Sequence, residues 1–274
     1  MTVEPTAHEW DKMPSIEVLG GYMKRSGFRS DGTLLTFNSI RPGMKRWEPH
    51  HHPFDQIVLT VDGIQILEVE GKAFECPPRS IVRIAGDDFH TGWPKGDRQV
   101  LNIDVFSPPR ADYLFLADWQ EGFPARDKSQ DVHAYHQTPN ASEFSGTWLT
   151  DTKDIVYLWD DLPSVNLAGG KLRQAAFRGD DSLLTFNWMA KDLPKSAPVS
   201  HPSDVLILVV DGTLSIDMAG KAVEAGPRSI TRVPPNTPYA VAPAGGAVLA
   251  INVFSPVPAE LVKHTLYQAG FEVA

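Results

Sequence analysis

One cysteine in 274 residues, Cys76, excludes an intramolecular disulfide and fits a reducing, cytoplasmic setting. Cys76 itself reads as a small buried residue at a strand end, not as a catalytic thiol. Long apolar runs are missing too. The longest, Val205 to Val210, is far too short to cross a bilayer, so no membrane is expected as a partner. The start, Met1 to Asp11, is polar and acidic, without the basic and apolar regions of a secretory signal. Basic residues are in deficit: 25 Lys and Arg stand against 34 Asp and Glu, a formal charge of -9. Phosphate backbones need a basic face, so nucleic acid is not expected either. A small anionic metabolite remains open, because a few arginines inside a pocket do not show in a total. What is present is a globular composition, 42% hydrophobic with seven Trp, in a chain long enough for two domains.

The chain repeats itself. Trp10-Asp11 aligns with Trp159-Asp160, 149 residues on, and Gly20-Gly21 aligns with Gly169-Gly170 at the same offset. So do Thr33 to Asn38 with Ser182 to Asn187, Asp62-Gly63 with Asp211-Gly212, and Pro78 to Ile81 with Pro227 to Ile230. After one deletion, Val105 to Pro108 matches Val253 to Pro256 at an offset of 148. Matches in register over so long a stretch mark a duplicated domain.

Each copy reads as β. Leu34 to Ile40, Gln56 to Val61, Ile64 to Val69, Ser80 to Ile84 and Val100 to Phe106 are short runs rich in β-branched and aromatic residues. Turn pairs separate them, and Asp62-Gly63 and Asp211-Gly212 are hairpin signals. Many short, closely spaced strands with almost no helical periodicity predict an all-β sandwich or small barrel, twice. The expected division is 8–112 for the first barrel, 113–156 for a connector with a short helix near Tyr113 to Trp119, 157–260 for the second barrel, and 261–274 for a tail or helix. A monomer or a homodimer is expected.

Copy one carries a potential metal site. His50 and His52 are one residue apart, so on an extended segment they point the same way, and Gln56 has the same parity. His90 would arrive from a later strand. Three imidazoles and an amide oxygen suit one divalent transition metal, Fe, Mn, Co, Ni or Zn, with positions left open for substrate. His51 has the opposite parity and should face away. Copy two has Val199, His201, Val205 and Tyr239 at these places and is expected to bind no metal. Asp104, Phe106 and Arg110 follow the same division, since copy two has Asn252, Phe254 and Pro258. With an inward face, Asp104 serves as a general base and Arg110 as a carboxylate clamp. Otherwise the two are a surface pair. Arg29, Arg79 and Arg83 recur as Arg178, Arg228 and Arg232, which favours structural roles. Lys24, Arg25, Arg46 and Trp47 read as solvated side chains before pocket residues.

Gly43, His50-x-His52, Gln56 and Gly63, with His90 much later, resemble the two signature motifs of the cupin superfamily. The resemblance implies two tandem cupin barrels (double-stranded β-helix, jelly-roll), the second with a degenerate site. Gln56 departs from the commoner Glu, a ligand set that some cupins share. Asp104 to Tyr113 with His-His-Gln-His is similar to the single cupins that linearise unsaturated uronates, where the corresponding Asp, Phe and Arg belong to the site. Double cupins that shift a double bond in an unsaturated keto acid share the ligand set. The resemblance thus implies a metal-dependent isomerase, tautomerase or lyase on a small unsaturated or keto carboxylate. A non-haem iron dioxygenase of a diketone or phenolic substrate, and a non-catalytic sensing or binding module, remain as alternatives.

Overall fold

A computed structural model describes residues 4–124 and 143–271, so residues 125–142 of the expected connector and 272–274 of the tail lie outside the described residues. The strands form where alternation and β-branching predict them: Leu34–Ile40, Ile64–Val69, Ser80–Ile84 and Val100–Phe106 are as expected, and Gln56–Asp62 is one residue longer. The helix expected near Tyr113 to Trp119 is a 3-10 turn, Ala111–Ala117, and the closing one is a 3-10 turn, Ala259–His264. No helix among the described residues is long and apolar enough to cross a membrane.

The chain divides into two compact units: Pro14–Arg29 with Leu34–Asp161, and Met1–Met13 with Ser30–Thr33 and Leu162–Ala274. Their edges depart from the repeat boundaries of 8–112 and 157–260. His8–Glu9 pairs with Ser229 and Ile230 of the second barrel, and Tyr157–Leu158 pairs with Ser80 and Ile81 of the first. Each barrel therefore ends its larger sheet with a short strand from beyond its own repeat. The ends of a sheet need such partners for their open backbone groups.

In the first barrel a seven-stranded sheet has the order Tyr157–Leu158, Ser80–Ile84, Gln56–Asp62, Val100–Phe106, Leu34–Ile40, Met23–Arg29, Ser15–Val18. The smaller sheet has the order Thr147–Trp148, Lys72–Cys76, Ile64–Val69, His90–Lys95. The second barrel repeats the arrangement, with Leu172–Arg178, Leu183–Met189, Val205–Asp211, Ser229–Val233 and Val248–Phe254 in its larger sheet and Leu214–Met218 central in its smaller one.

The Asp-Gly pairs are corners, not hairpin turns. Gln56–Asp62 and Ile64–Val69 belong to different sheets, as do Val205–Asp211 and Leu214–Met218. Gly63 and Gly212 have φ of 73° and 78°, and an added Cβ would lie 2.4 Å from the Gln99 carbonyl oxygen and 2.2 Å from that of Ala247. Only glycine fits where the chain turns from one sheet to the other against that backbone. The tight hairpin lies at Glu70-Gly71, where both residues have positive φ, as a type I′ turn requires.

Candidate metal centre

The inward face of the larger sheet in the first barrel follows from strand parity. Val100–Phe106 lies between Leu34–Ile40 and Gln56–Asp62, with Asp104 opposite Thr36 and Val58, Asn102 opposite Asn38, and Phe106 opposite Gln56. Arg25 stands opposite Asn38 on the next strand. Period-two alternation thus aims Arg25, Thr36, Asn38, Gln56, Asn102, Asp104 and Phe106 to one side.

The histidines arrive differently. The expected strand continuation from His50 to Gln56 is absent: the segment is a loop, and strand begins at Gln56. Backbone clamps take its place. His50 and His90 exchange N–H···O bonds of 2.9 and 2.8 Å, and the Asp87 amide donates to the His52 carbonyl at 2.7 Å. The result gathers ligand atoms of His50, His52 and His90 within 4.8 Å of one another. His51 points away as expected, exposed beside Phe89 and Asp87.

The donor set fits a cation. A carbonyl only accepts, so His52 Nδ1 donates to Phe54 O at 2.6 Å and His90 Nδ1 to Asp88 O at 2.8 Å. Their Nε2 atoms then carry lone pairs. Among the described residues that of His90 is buried without a partner, as is His50 Nδ1. His52 Nε2 faces Gln56 Oε1 at 3.2 Å, two acceptors that need a positive charge between them. Backbone carbonyls orienting imidazoles in this way are the usual support of metal ligands. Burial, with His90 and Arg110 adding to it, pushes His50 down to about 2; burial above all pushes His90 down to about 4 and lowers His52. All three are neutral at physiological pH, the form that ligates.

Asp104 is buried among donors. Thr36 Oγ1 and Asn38 Nδ2 donate to its Oδ2 at 3.1 and 2.9 Å, and Asn102 Nδ2 to its Oδ1 at 2.9 Å. Gln56 also hydrogen-bonds to it through its side chain, which keeps the Gln56 oxygen toward the imidazoles. Burial raises the Asp104 carboxyl above its ordinary range, against the pull of Arg25 and of these donors. Arg110 lies with Nη1 3.4 Å from His50 Nε2, pairs with Asp112 at 2.8 Å, and stacks on Tyr113 at 4.0 Å. Burial works against its charge, but Tyr113 and Asp112 more than offset this. Phe106 packs edge-on against His52 at 5.7 Å. Asp104 and Arg110 are therefore not a surface pair.

Two side chains expected in solvent are buried in the wall. Arg25 donates to Asn38 Oδ1 at 2.6 Å and lies 4.7 Å over Tyr113; Trp47 stacks on His50 at 4.8 Å and donates to the Gly92 carbonyl. Arg46 pairs with buried Glu68 at 2.5 Å, and Lys24 is exposed as expected. The repeat held an unused signal for Arg25, Gln65 and Asn102, whose counterparts are Gln174, Leu214 and Ala250. Thr36 and Asn38 recur as Thr185 and Asn187 and carried none. Arg25, Gln56, Gln65, Asn102, Asp104 and Arg110 line one cavity with His50 and His90.

A family model described as an AraC-like ligand binding domain matches residues 40–142. No curated protein sequence matches the chain. Among solved structures, salicylate 1,2-dioxygenase from Pseudaminobacter salicylatoxidans is 12% identical, with a TM-score of 0.65 over 92% of this chain and 84% of that one. Oxalate decarboxylase from Lactobacillus farciminis, in a formate complex, is 13% identical, with a TM-score of 0.64 over 94% and 88%. That from Bacillus subtilis, a protein with Mn(II) centres, is 12% identical, with a TM-score of 0.63 over 94% and 79%. Identities this low speak for the fold alone. The chain thus has the two-barrel cupin fold, and its first barrel gathers three imidazoles that could hold a metal ion.

Proposed function

We propose that this chain is a metal-dependent enzyme that moves a proton on a small unsaturated or keto carboxylate of the uronate kind, as an isomerase, tautomerase or lyase. The observation that carries the reading is the position of Asp104, a buried carboxylate lining the same cavity as His50, His90, Gln56 and Arg110. A divalent first-row metal held by His50, His52, His90 and the Gln56 oxygen would supply Lewis acidity toward a substrate oxygen. Asp104, as carboxylate, takes a proton from the carbon beside the carbonyl, and the C–H electron pair delocalises toward that carbonyl. Returned to a different carbon, the proton completes an isomerisation without oxidant or reductant. Arg110 and Arg25 orient the substrate carboxylate, each guanidinium being held on Tyr113. Phe106 and Trp47 pack beside the imidazoles and keep bulk water from them.

The same open imidazole site would also serve an oxygen-dependent reaction, and the match of residues 40–142 favours a ligand-sensing one. Metal analysis of chelator-free protein, followed by assays with unsaturated uronates under nitrogen, separates the three. Turnover under nitrogen that disappears in Asp104→Asn supports the proposal. Turnover that requires oxygen replaces it with the dioxygenase, and binding without turnover replaces it with the sensor.

A further inference from the structure

Gln65 and Asn102 line the cavity of the first barrel, and each has a buried side-chain oxygen, Gln65 Oε1 and Asn102 Oδ1, without a hydrogen-bond partner among the described residues. Neither is explained by the metal ligands or by Asp104. The Asn102 amide cannot turn round, because its nitrogen donates to Asp104 Oδ1 at 2.9 Å and reversal would set oxygen against carboxylate. Its Oδ1 is thereby held as an acceptor without a donor. The Gln65 amide lies over Gly92, where an added Cβ would come within 2.7 Å of Gln65 Nε2. The second barrel has Leu214, Ala250 and Val241 at the positions of Gln65, Asn102 and Gly92, and Leu214 and Ala250 join its apolar core. Unsatisfied buried acceptors cost stability, so a barrel that keeps them has a use for a donor there.

We propose that Gln65 and Asn102 accept hydrogen bonds from hydroxyl groups of the substrate, so that the site selects a polyhydroxylated carboxylate. A cationic donor is disfavoured by Arg25 and Arg110 in the same wall. The proposal deepens the reading of this cavity as a carboxylate site but needs no turnover, so its test is one of binding.

Isothermal titration of the metal-loaded protein compares D-glucuronate with cyclohexanecarboxylate, a ring of like size without hydroxyls. Wild type binds glucuronate at least about tenfold more tightly. Gln65→Leu, a residue that the second barrel already accommodates, reduces that preference several-fold, with metal content and cyclohexanecarboxylate affinity unchanged; Asn102→Ala, which also removes a donor from Asp104, reduces the preference as well. Gln65→Met, closer in shape, does the same. Variants that keep the full preference show that the two oxygens hold only water, and the proposal falls. It falls as well where wild type binds neither probe or prefers neither. An enzyme inactive on unsaturated uronates that still shows the hydroxyl preference sinks the proton-transfer reading and leaves this one standing.

Discussion

The two barrels share a backbone and differ in what fills it. Val199 and Tyr239 exchange the same pair of backbone bonds, 2.9 and 2.8 Å, that joins His50 to His90. Asn236 N donates to His201 O at 2.7 Å as Asp87 N does to His52 O. Arg83–Asp55 recurs as Arg232–Asp204, and Arg46–Glu68 as Lys195–Asp217. Arg25 donating to Asn38 recurs as Gln174 donating to Asn187. Inside, however, the second barrel packs Val205, Leu214, Ile216, Met218, Tyr239, Ala250 and Phe254 into one apolar core. His201 lies 5.2 Å from Phe254, with no cluster of imidazoles around it among the described residues. The scaffold that presents the ligands is thus separable from the ligands, and the first barrel keeps polar groups that its twin shows the fold does not need.

The largest break of that comparison is to give the first barrel the second one's residues. His50→Val with His90→Tyr should lower metal affinity by on the order of 100-fold or more and abolish turnover, read by elemental analysis and assay. The strand content should be unchanged by circular dichroism, since the clamp between these positions is backbone. Retained metal would overturn the site. Asp104→Asn, the residue of the second barrel, should reduce turnover by about 10²–10⁴-fold while the three imidazoles keep the metal.

Acid and alkali should find the two barrels in turn. In chelated protein, unfolded imidazoles take protons below about 6.5, while folded His90 resists until about 4. The unfolded state then binds more protons, so stability falls as pH drops through that window, by on the order of 3 kcal/mol for this group. At the equivalent place, burial pushes Tyr239 up to about 12. Its unfolded hydroxyl ionises near 10, so the second barrel loses stability as pH rises from about 10 to 12. His50→Val with His90→Tyr should shrink the acid limb, leaving the His52 share, and give the first barrel an alkaline limb like that of Tyr239 in a denaturation series. The smallest effect is symmetrical: Asp55→Asn and Asp204→Asn should each cost about 1–3 kcal/mol, since the same buried pair braces both barrels. Unequal losses would show that the second scaffold has drifted.

Much of this was legible along the chain because it depends on local spacing. The repeat, the strands from Leu34–Ile40 to Val100–Phe106 and the candidate ligands follow from periodicity and self-comparison. Asp62-Gly63 reads as a hairpin along the chain and is a corner in the fold, because a dipeptide marks a turn of the backbone, while which sheet the next strand joins depends on distant partners. Arg25 and Trp47 read as solvated along the chain and are buried, because a charged or amphipathic side chain shows its surroundings only once Tyr113 and His50 lie beside it.

Residue order is enough to identify a duplicated β protein in which one copy carries His50, His52, Gln56 and His90 and the other does not. Alternation and repetition are properties of neighbours along the chain, and substitutions between copies are read directly. Only the tertiary contacts bring the three imidazoles together, seal Asp104 among Thr36, Asn38 and Asn102, and leave buried oxygens of the cavity-lining Gln65 and Asn102 without donors among the described residues. Those facts depend on which strands lie side by side and on which side chains exclude water, and no local pattern encodes either.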